Sequence, residues 1–152
     1  MAQAARWTVA VVVFSFVGFV VGSAQESKVQ MKDLPQPVQK AAELERAKGA
    51  SLQGFAMEIE GGKTLYEVET IVSGHTRDLL FDATGRLIEV EEEVTQAAVP
   101  AAAMRALAAY GKVGKVELVT KGTSVSYESV VKTKSGKSVE VAVDAAGKAV
   151  KP

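Results

Sequence analysis

Hydrophobic residues follow two different spacings along the chain, and each spacing predicts a different kind of element. Two segments, "LPQPVQKAA" (34–42) and "VPAAAMRAL" (99–107), place apolar residues three or four positions apart, as one face of a helix does. Each has a proline at its start, which suits the first turn of a helix. Each is followed by a glycine, Gly49 or Gly111, which suits a helix end. The pattern therefore predicts two helices.

The segments after each helix alternate between apolar and polar residues, which is typical of strands with one buried face. Turn signals such as Gly61-Gly62 and Ser73-Gly74 separate the alternating runs and predict hairpins. An antiparallel sheet can bury one face and leave the other in water, so we expect the helix to cover the apolar side. In the first half that side comprises Phe55, Met57, Ile59, Tyr66, Val68, Val72, Leu79, Phe81, Ile88 and Val90.

The two halves of the chain resemble each other. "LLFDATGRLIEV" (79–90) has a counterpart in "VAVDAAGKAV" (141–150), and "LYEVETIVSG" (65–74) has one in "SYESVVKTKSG" (126–136). We therefore expect an α+β fold of two tandem repeats, 31–94 and 95–152, each with one helix packed on a roughly four-stranded antiparallel sheet. A unit of about 60 residues buries only about 60% of its surface, so a second copy would add stability.

The N-terminal residues predict export. Arg6 precedes the apolar run 7–21, and small residues up to Ala24 suit a cleavage site, so residues 1–24 are predicted to be a signal peptide. An uncleaved anchor is the alternative, and either one places the rest of the chain in the periplasm or outside the cell. The chain has no cysteine, and its 18 basic and 18 acidic side chains balance. That balance argues against nucleic acid or an anionic membrane surface as partner.

The same motifs carry a family resemblance. A leading "LP" or "VP" helix, then "YEVE", Ser-Gly and "FDATGRL" resemble the PepSY-like family, which is sometimes described as similar to beta-lactamase inhibitor protein. The resemblance implies small exported α+β units whose tandem copies can place their sheets side by side. It also implies an inhibitory or protein-binding role.

Residues for catalysis are scarce. The chain has no cysteine nucleophile, and His75, its one histidine, directly follows a predicted Ser-Gly turn. No histidine pair or cysteine cluster suggests zinc, and no glycine-rich loop precedes a helix as a phosphate site requires. We therefore expect a protein without enzymatic activity, metal or cofactor.

One face of the first predicted sheet is rich in acids. Alternation places seven carboxylates opposite the helix side, with little basic compensation, and this set could meet a basic partner surface or bind Ca²⁺ weakly. A solvated face whose acids aid solubility is the simpler interpretation. In the second half, Lys115, Glu117, Lys121, Glu128, Lys132 and Glu140 mix the two signs on the corresponding face. The seven acids are Glu58, Glu60, Glu67, Glu69, Asp78, Glu89 and Glu91.

These features together predict an exported, non-catalytic module of the cell envelope that binds or inhibits another exported protein through an open sheet face. A structural or weakly calcium-binding envelope protein is the alternative. A carboxylate-based hydrolase would need one acid with a pKa raised by burial. We expect acids on a wet sheet face to lack such burial.

Overall fold

The computed structural model describes residues 27–60 and 62–151, with only the backbone of Glu60. The predicted signal peptide lies outside these residues. Ten helices and strands follow one another in the order β1, α1, β2–β5, α2 and β6–β8, and a single 3₁₀ turn precedes each helix. Their bounds are β1 (Ser27–Lys28), α1 (Gln36–Ala47), β2 (Ser51–Glu60), β3 (Lys63–Val72), β4 (His75–Phe81), β5 (Leu87–Val94), α2 (Ala101–Tyr110), β6 (Lys112–Lys121), β7 (Ser124–Lys132) and β8 (Ser138–Val143).

All eight strands form one antiparallel sheet, in which each strand pairs with the strands before and after it in sequence. The prediction of an α+β fold is confirmed, but the prediction of two tandem repeats, each a helix on its own four-stranded sheet, is wrong. β5 and β6 are hydrogen-bonded from Glu89↔Lys121 to Val94↔Val116, which joins the two halves. This pairing satisfies backbone groups that two separate sheets would leave exposed at their edges.

Both helices pack on the same face of this sheet and bury two hydrophobic clusters. Cross-strand register places Val68, Leu79 and Val90 on the face that α1 covers. Val94 lies four residues after Val90 on β5, so its side chain projects from the same face, and it packs against the cluster under α2. The buried members under α1 are Leu34, Val38, Ala42, Val68, Leu79 and Phe81, and those under α2 are Val99, Ala103, Leu107, Val116, Val131, Val141 and Val143.

The repeated Asp-x-x-Gly turns fasten the sheet to the helices. In the first turn, the Asp82 carboxylate accepts hydrogen bonds from the backbone N–H groups of Thr84 and Arg86, at 2.9 and 3.1 Å. Gly85 then adopts φ +78° and lies against the first turn of α1, where a Cβ would be 2.9 Å from the Pro37 carbonyl oxygen. A residue with a side chain does not fit there.

The second turn repeats this arrangement at α2. Asp144 accepts hydrogen bonds from the backbone N–H groups of Ala146 and Lys148, both at 2.9 Å. Gly147 has φ +82°, and a Cβ on it would be 2.7 Å from the Ala102 carbonyl oxygen. The repeated motif in the sequence therefore has a structural meaning, because each copy brings a turn against the start of a helix.

A second anchor ties α1 to the sheet through charge. The Arg77 guanidinium lies between two carboxylates, 2.8 Å from Glu45 on α1 and 3.0 Å from Glu92 on β5. Burial raises the pKa of Glu45, but hydrogen bonds from Lys48 and Arg77 outweigh that effect and leave the pKa below its usual range.

Neither α1 nor α2, the helices of the described part of the chain, is long and apolar enough to cross a membrane.

Candidate functional site: a half-buried acidic face

The predicted acidic residues lie together on the side of the sheet away from both helices, which we call the acidic face. Glu69, Asp78 and Glu91 are direct cross-strand partners on β3, β4 and β5, so their side chains project from the same side. Glu67 and Glu89 flank Leu80 in the adjacent row, and Glu58 pairs with Leu65. The structure thus brings together the six predicted acids whose side chains it describes; the seventh, Glu60, has only its backbone described.

The continuous sheet adds acids from the second half. Glu93, Glu117 and Glu128 form another row of direct cross-strand partners, on β5, β6 and β7. Sequence analysis assigned Glu117 and Glu128 to a separate sheet of mixed charge and so did not join them to the predicted set. Alternation in the sequence identifies their face, but only the β5–β6 pairing places them beside Glu91.

The acidic face has a buried apolar floor. Although these residues point away from the helices, Leu65, Leu80 and Val119 are only 5, 6 and 5% exposed. Ala56 and Ala142 on the same face are buried as well. The six acids with described side chains are all half-buried, so the expectation of carboxylates on a wet face is wrong.

The C-terminal residues contribute to this burial. Ala149 forms a bridge with Val143 at the end of β8, and the Val150 N–H donates a hydrogen bond to the Ala142 carbonyl oxygen at 3.0 Å. Val150 then lines a cavity of about 260 Å³ that also reaches Val119 and Glu128. The end of the chain therefore covers part of the acidic face near β6 and β7.

Glu91 lies in the central row of the acidic face, and its pKa is strongly perturbed. Burial raises the pKa of Glu91 to about 8, and repulsion from neighbouring carboxylates adds to the effect. At neutral pH this side chain therefore holds its proton and can donate a hydrogen bond. The neighbouring carboxylates are Glu117, Glu89, Glu128 and Glu67, in order of decreasing effect.

Two other acids on this face are perturbed in the same direction. Burial raises the pKa of Asp78, a backbone hydrogen bond from Thr70 partly opposes it, and Glu117 adds repulsion. Burial also raises the pKa of Glu128, against a hydrogen bond from Ser126 that lowers it. The carboxylates of neighbouring strands are thus close enough to disfavour one another's ionisation.

Basic side chains border this cluster. Lys121 is 2.8 Å from Glu89, and the Lys115 ammonium is 2.7 Å from Glu117. At the other edge Lys28 is 3.7 Å from Glu69. Despite these pairs the pKa of Glu91 remains raised. The arrangement is therefore suited to attract a further cation.

The acidic face does not have the layout of a metal or nucleophile site. Within residues 27–60 and 62–151, no group of three or more histidine, cysteine, aspartate or glutamate side chains is arranged to hold a metal ion. His75 is exposed at the first residue of β4, paired with Val72 of β3. Its ring is a surface group at a hairpin end, as the preceding Ser-Gly turn predicted.

Comparison with solved structures identifies the class of fold. A protein from Bacteroides eggerthii described as periplasmic superposes with a TM-score of 0.62 at 19% identity, over 78% of this chain and 86% of that one. A BLIP-like protein from Bacteroides fragilis gives a TM-score of 0.55 at 20% identity, over 78% and 84%. A DUF2874 family protein from Bacteroides ovatus gives 0.56 at 17% identity, over 78% and 85%.

The chain therefore has the fold shared by BLIP-like and DUF2874 proteins. Identities of this size establish the fold and leave function to be argued from the site. No family model and no curated protein matches the chain. The more specific resemblance to the PepSY-like family stays a prediction.

Proposed function

We propose that the chain is a non-catalytic periplasmic module that binds a basic surface of another exported protein through the acidic face. The predicted export signal and the periplasmic description of the B. eggerthii neighbour support the location. The BLIP-like neighbour supports a protein-binding role for this fold. If the bound partner is an enzyme, the module acts as an inhibitor.

The observation that carries this proposal is the position of Glu91 at the centre of a cluster of carboxylates, whose repulsion helps to keep Glu91 protonated. Carboxylates placed opposite one another on a sheet destabilise it, and half-burial increases the repulsion because it lowers the local dielectric constant. A solubilising role would be served as well by acids spread over the wet surface. A cationic side chain docked above Glu91 would instead relieve the repulsion, so the cluster favours a basic partner.

The proposal predicts that binding depends on the sign of charge at one face only. Glu69 lies in the central row of the acidic face, and we expect Glu69→Lys to weaken capture of a basic protein from an envelope extract at least tenfold, since like charges across an interface cost several kcal/mol. The first measurement is the amount of protein from the extract that the immobilised chain retains. The retained protein is then identified and purified, and its affinity for each variant is measured by titration.

Glu43→Lys provides the matched control, because it makes the same change in net charge on the outer side of α1, where Glu43 pairs with Arg46. We expect this variant to retain the partner as the unmodified chain does. Raising the salt concentration should release the partner, because salt screens the attraction between charges on the two surfaces. Equal loss in both variants, or retention that ignores salt, would contradict the proposal.

A further inference from the structure

A large cleft lies at one end of the sheet, outside the central rows of the acidic face. Its volume is about 890 Å³, which is within the range of small-molecule sites. The β2–β3 hairpin, the Asp82 turn and the end of β6 meet there with the C-terminal segment. The lining residues are Lys63, Thr64, Leu65, Asp82, Ala83, Thr84, Arg86, Ile88, Lys121 and Lys151.

The floor of this cleft is apolar. Leu65 is 5% exposed, and Ile88 is half-buried beside it. The alternating pattern in the sequence predicted Ile88 on the helix side of the sheet. The register shifts between Leu80 and Phe81, however, so that Leu87 pairs with Phe81 and Ile88 is left to line the cleft. The shift therefore supplies an apolar wall at this end of the sheet.

The rim of the cleft is cationic although the whole chain carries balanced charge. Four basic side chains line it, and Asp82 is the one acid among the described lining residues. Asp82 is already engaged, because it accepts hydrogen bonds from the Thr84 hydroxyl and from the Arg86 side chain at 2.6 and 3.0 Å. The four basic residues are Lys63, Arg86, Lys121 and Lys151.

Two of these cations are paired with carboxylates, and the other two are exposed. Arg86 pairs with Asp82, and Lys121 pairs with Glu89 at 2.8 Å. Lys63 and Lys151 are exposed and come from separate segments, the start of β3 and the C-terminal end. An anionic group in the cleft would meet both ammonium groups, while an attached hydrocarbon would cover Leu65 and Ile88.

We propose that this cleft binds a small amphiphilic anion, a carboxylate or phosphate on a short hydrocarbon chain, with the anion at Lys63 and Lys151 and the hydrocarbon against Leu65 and Ile88. This site adjoins the acidic face, with which it shares Leu65 and Lys121, but its ligand has the opposite charge to the basic partner proposed there. A ligand of this class joins the two features of the cleft, an apolar floor and a cationic rim. A purely apolar ligand would make no contact with the cationic rim, and an inorganic anion would leave the exposed part of Ile88 in water.

The test is a titration of the isotope-labelled chain with decanoate, decyl phosphate and decyltrimethylammonium, followed through backbone amide NMR signals. We expect saturable shifts at 63–65, 82–88 and Lys121 with one or both anions, and none there with the cationic amphiphile. The two anionic arms distinguish a carboxylate from a phosphate ligand. Shifts with all three amphiphiles, or shifts confined to other surfaces such as the groove beside Leu44 on α1, would overturn the proposal.

Charge reversal at the rim gives the second arm of the test. Lys63→Glu combined with Lys151→Glu is expected to weaken binding of the anion at least tenfold. Lys40→Glu combined with Lys134→Glu makes the same change in net charge away from the cleft and should leave binding unchanged. Because all four lysines are exposed, each variant is expected to remain folded, and its amide spectrum checks this. Equal affinity in both pairs would also overturn the proposal.

Discussion

Replacing Gly147 by alanine is expected to lower the free energy of unfolding by about 3 kcal/mol, through left-handed strain and overpacking together. Gly147 has φ +82°, where a side chain is strained, and the new Cβ would be 2.7 Å from the Ala102 carbonyl oxygen. Backbone at the start of α2 must move to make room. Gly85→Ala should have a similar effect at Pro37 of α1. Urea unfolding followed by circular dichroism measures both losses.

Gly136→Ala is the matched control for this prediction. Gly136 has the same φ of +82°, and its N–H closes a similar turn by bonding to the Thr133 carbonyl, but nothing lies within 4 Å of an added Cβ. Its substitution should therefore cost only the conformational strain, about 1–2 kcal/mol. If Gly147→Ala is no more destabilising than Gly136→Ala, then the turn does not press against the helix as described.

Glu91→Gln is expected to stabilise the chain at alkaline pH and to leave it nearly unchanged at pH 5. The pKa of Glu91 is about 8 in the folded chain, against an ordinary value of 4.5 in the unfolded chain. Between these values the folded chain holds a proton that the unfolded chain has released, so the free energy of unfolding falls as pH rises through this window. Glutamine keeps the neutral form at every pH and removes this loss.

The expected gain at pH 8.5 is on the order of 2–3 kcal/mol, which is less than the full pKa shift implies because Glu91 is only partly buried. The measurement is urea unfolding of both chains from pH 5 to pH 8.5. Glu43→Gln removes an exposed acid from α1 and should keep the pH dependence of the original chain. A Glu91→Gln chain that loses stability with pH as steeply as the original would refute the proposed burial.

A stabilising substitution at Glu91 would itself bear on function. Proteins keep groups that lower stability where binding or activity depends on them. The acidic face combines such a group with a buried floor and with carboxylates from the six strands β2 to β7. A surface that served only solubility would not need these features. The gain in stability on Glu91→Gln and the loss of partner on Glu69→Lys should therefore come from the same face.

The local elements of the fold could be predicted from sequence. Proline and glycine signals predicted both helices, which run from Gln36 to Ala47 and from Ala101 to Tyr110. Alternation predicted the strands and their buried side because it reflects one strand at a time. The two halves are joined by the pairing of β5 with β6, and no local pattern in the sequence encodes that pairing. The separate sheets predicted from the repeat were therefore wrong.

Part of the candidate site could also be predicted from the alternation of apolar and polar residues. Alternation grouped Glu67, Glu69 and Asp78 by face, and the register keeps them on one side. The repulsion that Glu117 adds at Asp78 could not be predicted, since the pairing of β5 with β6 brings Glu117 beside these acids from the second half of the chain. The apolar wall that Ile88 gives to the neighbouring cleft also depends on a register shift that the sequence does not reveal.

The most direct test of the acidic face is an NMR titration of the Glu91 side-chain carboxyl carbon in the folded chain. We expect a midpoint near pH 8. We also expect the midpoint to fall when Glu117→Gln removes the carboxylate that contributes the largest repulsion. A midpoint close to 4.5 would show that Glu91 is solvated and unopposed, and it would contradict both the half-buried face and the basic partner proposed for it.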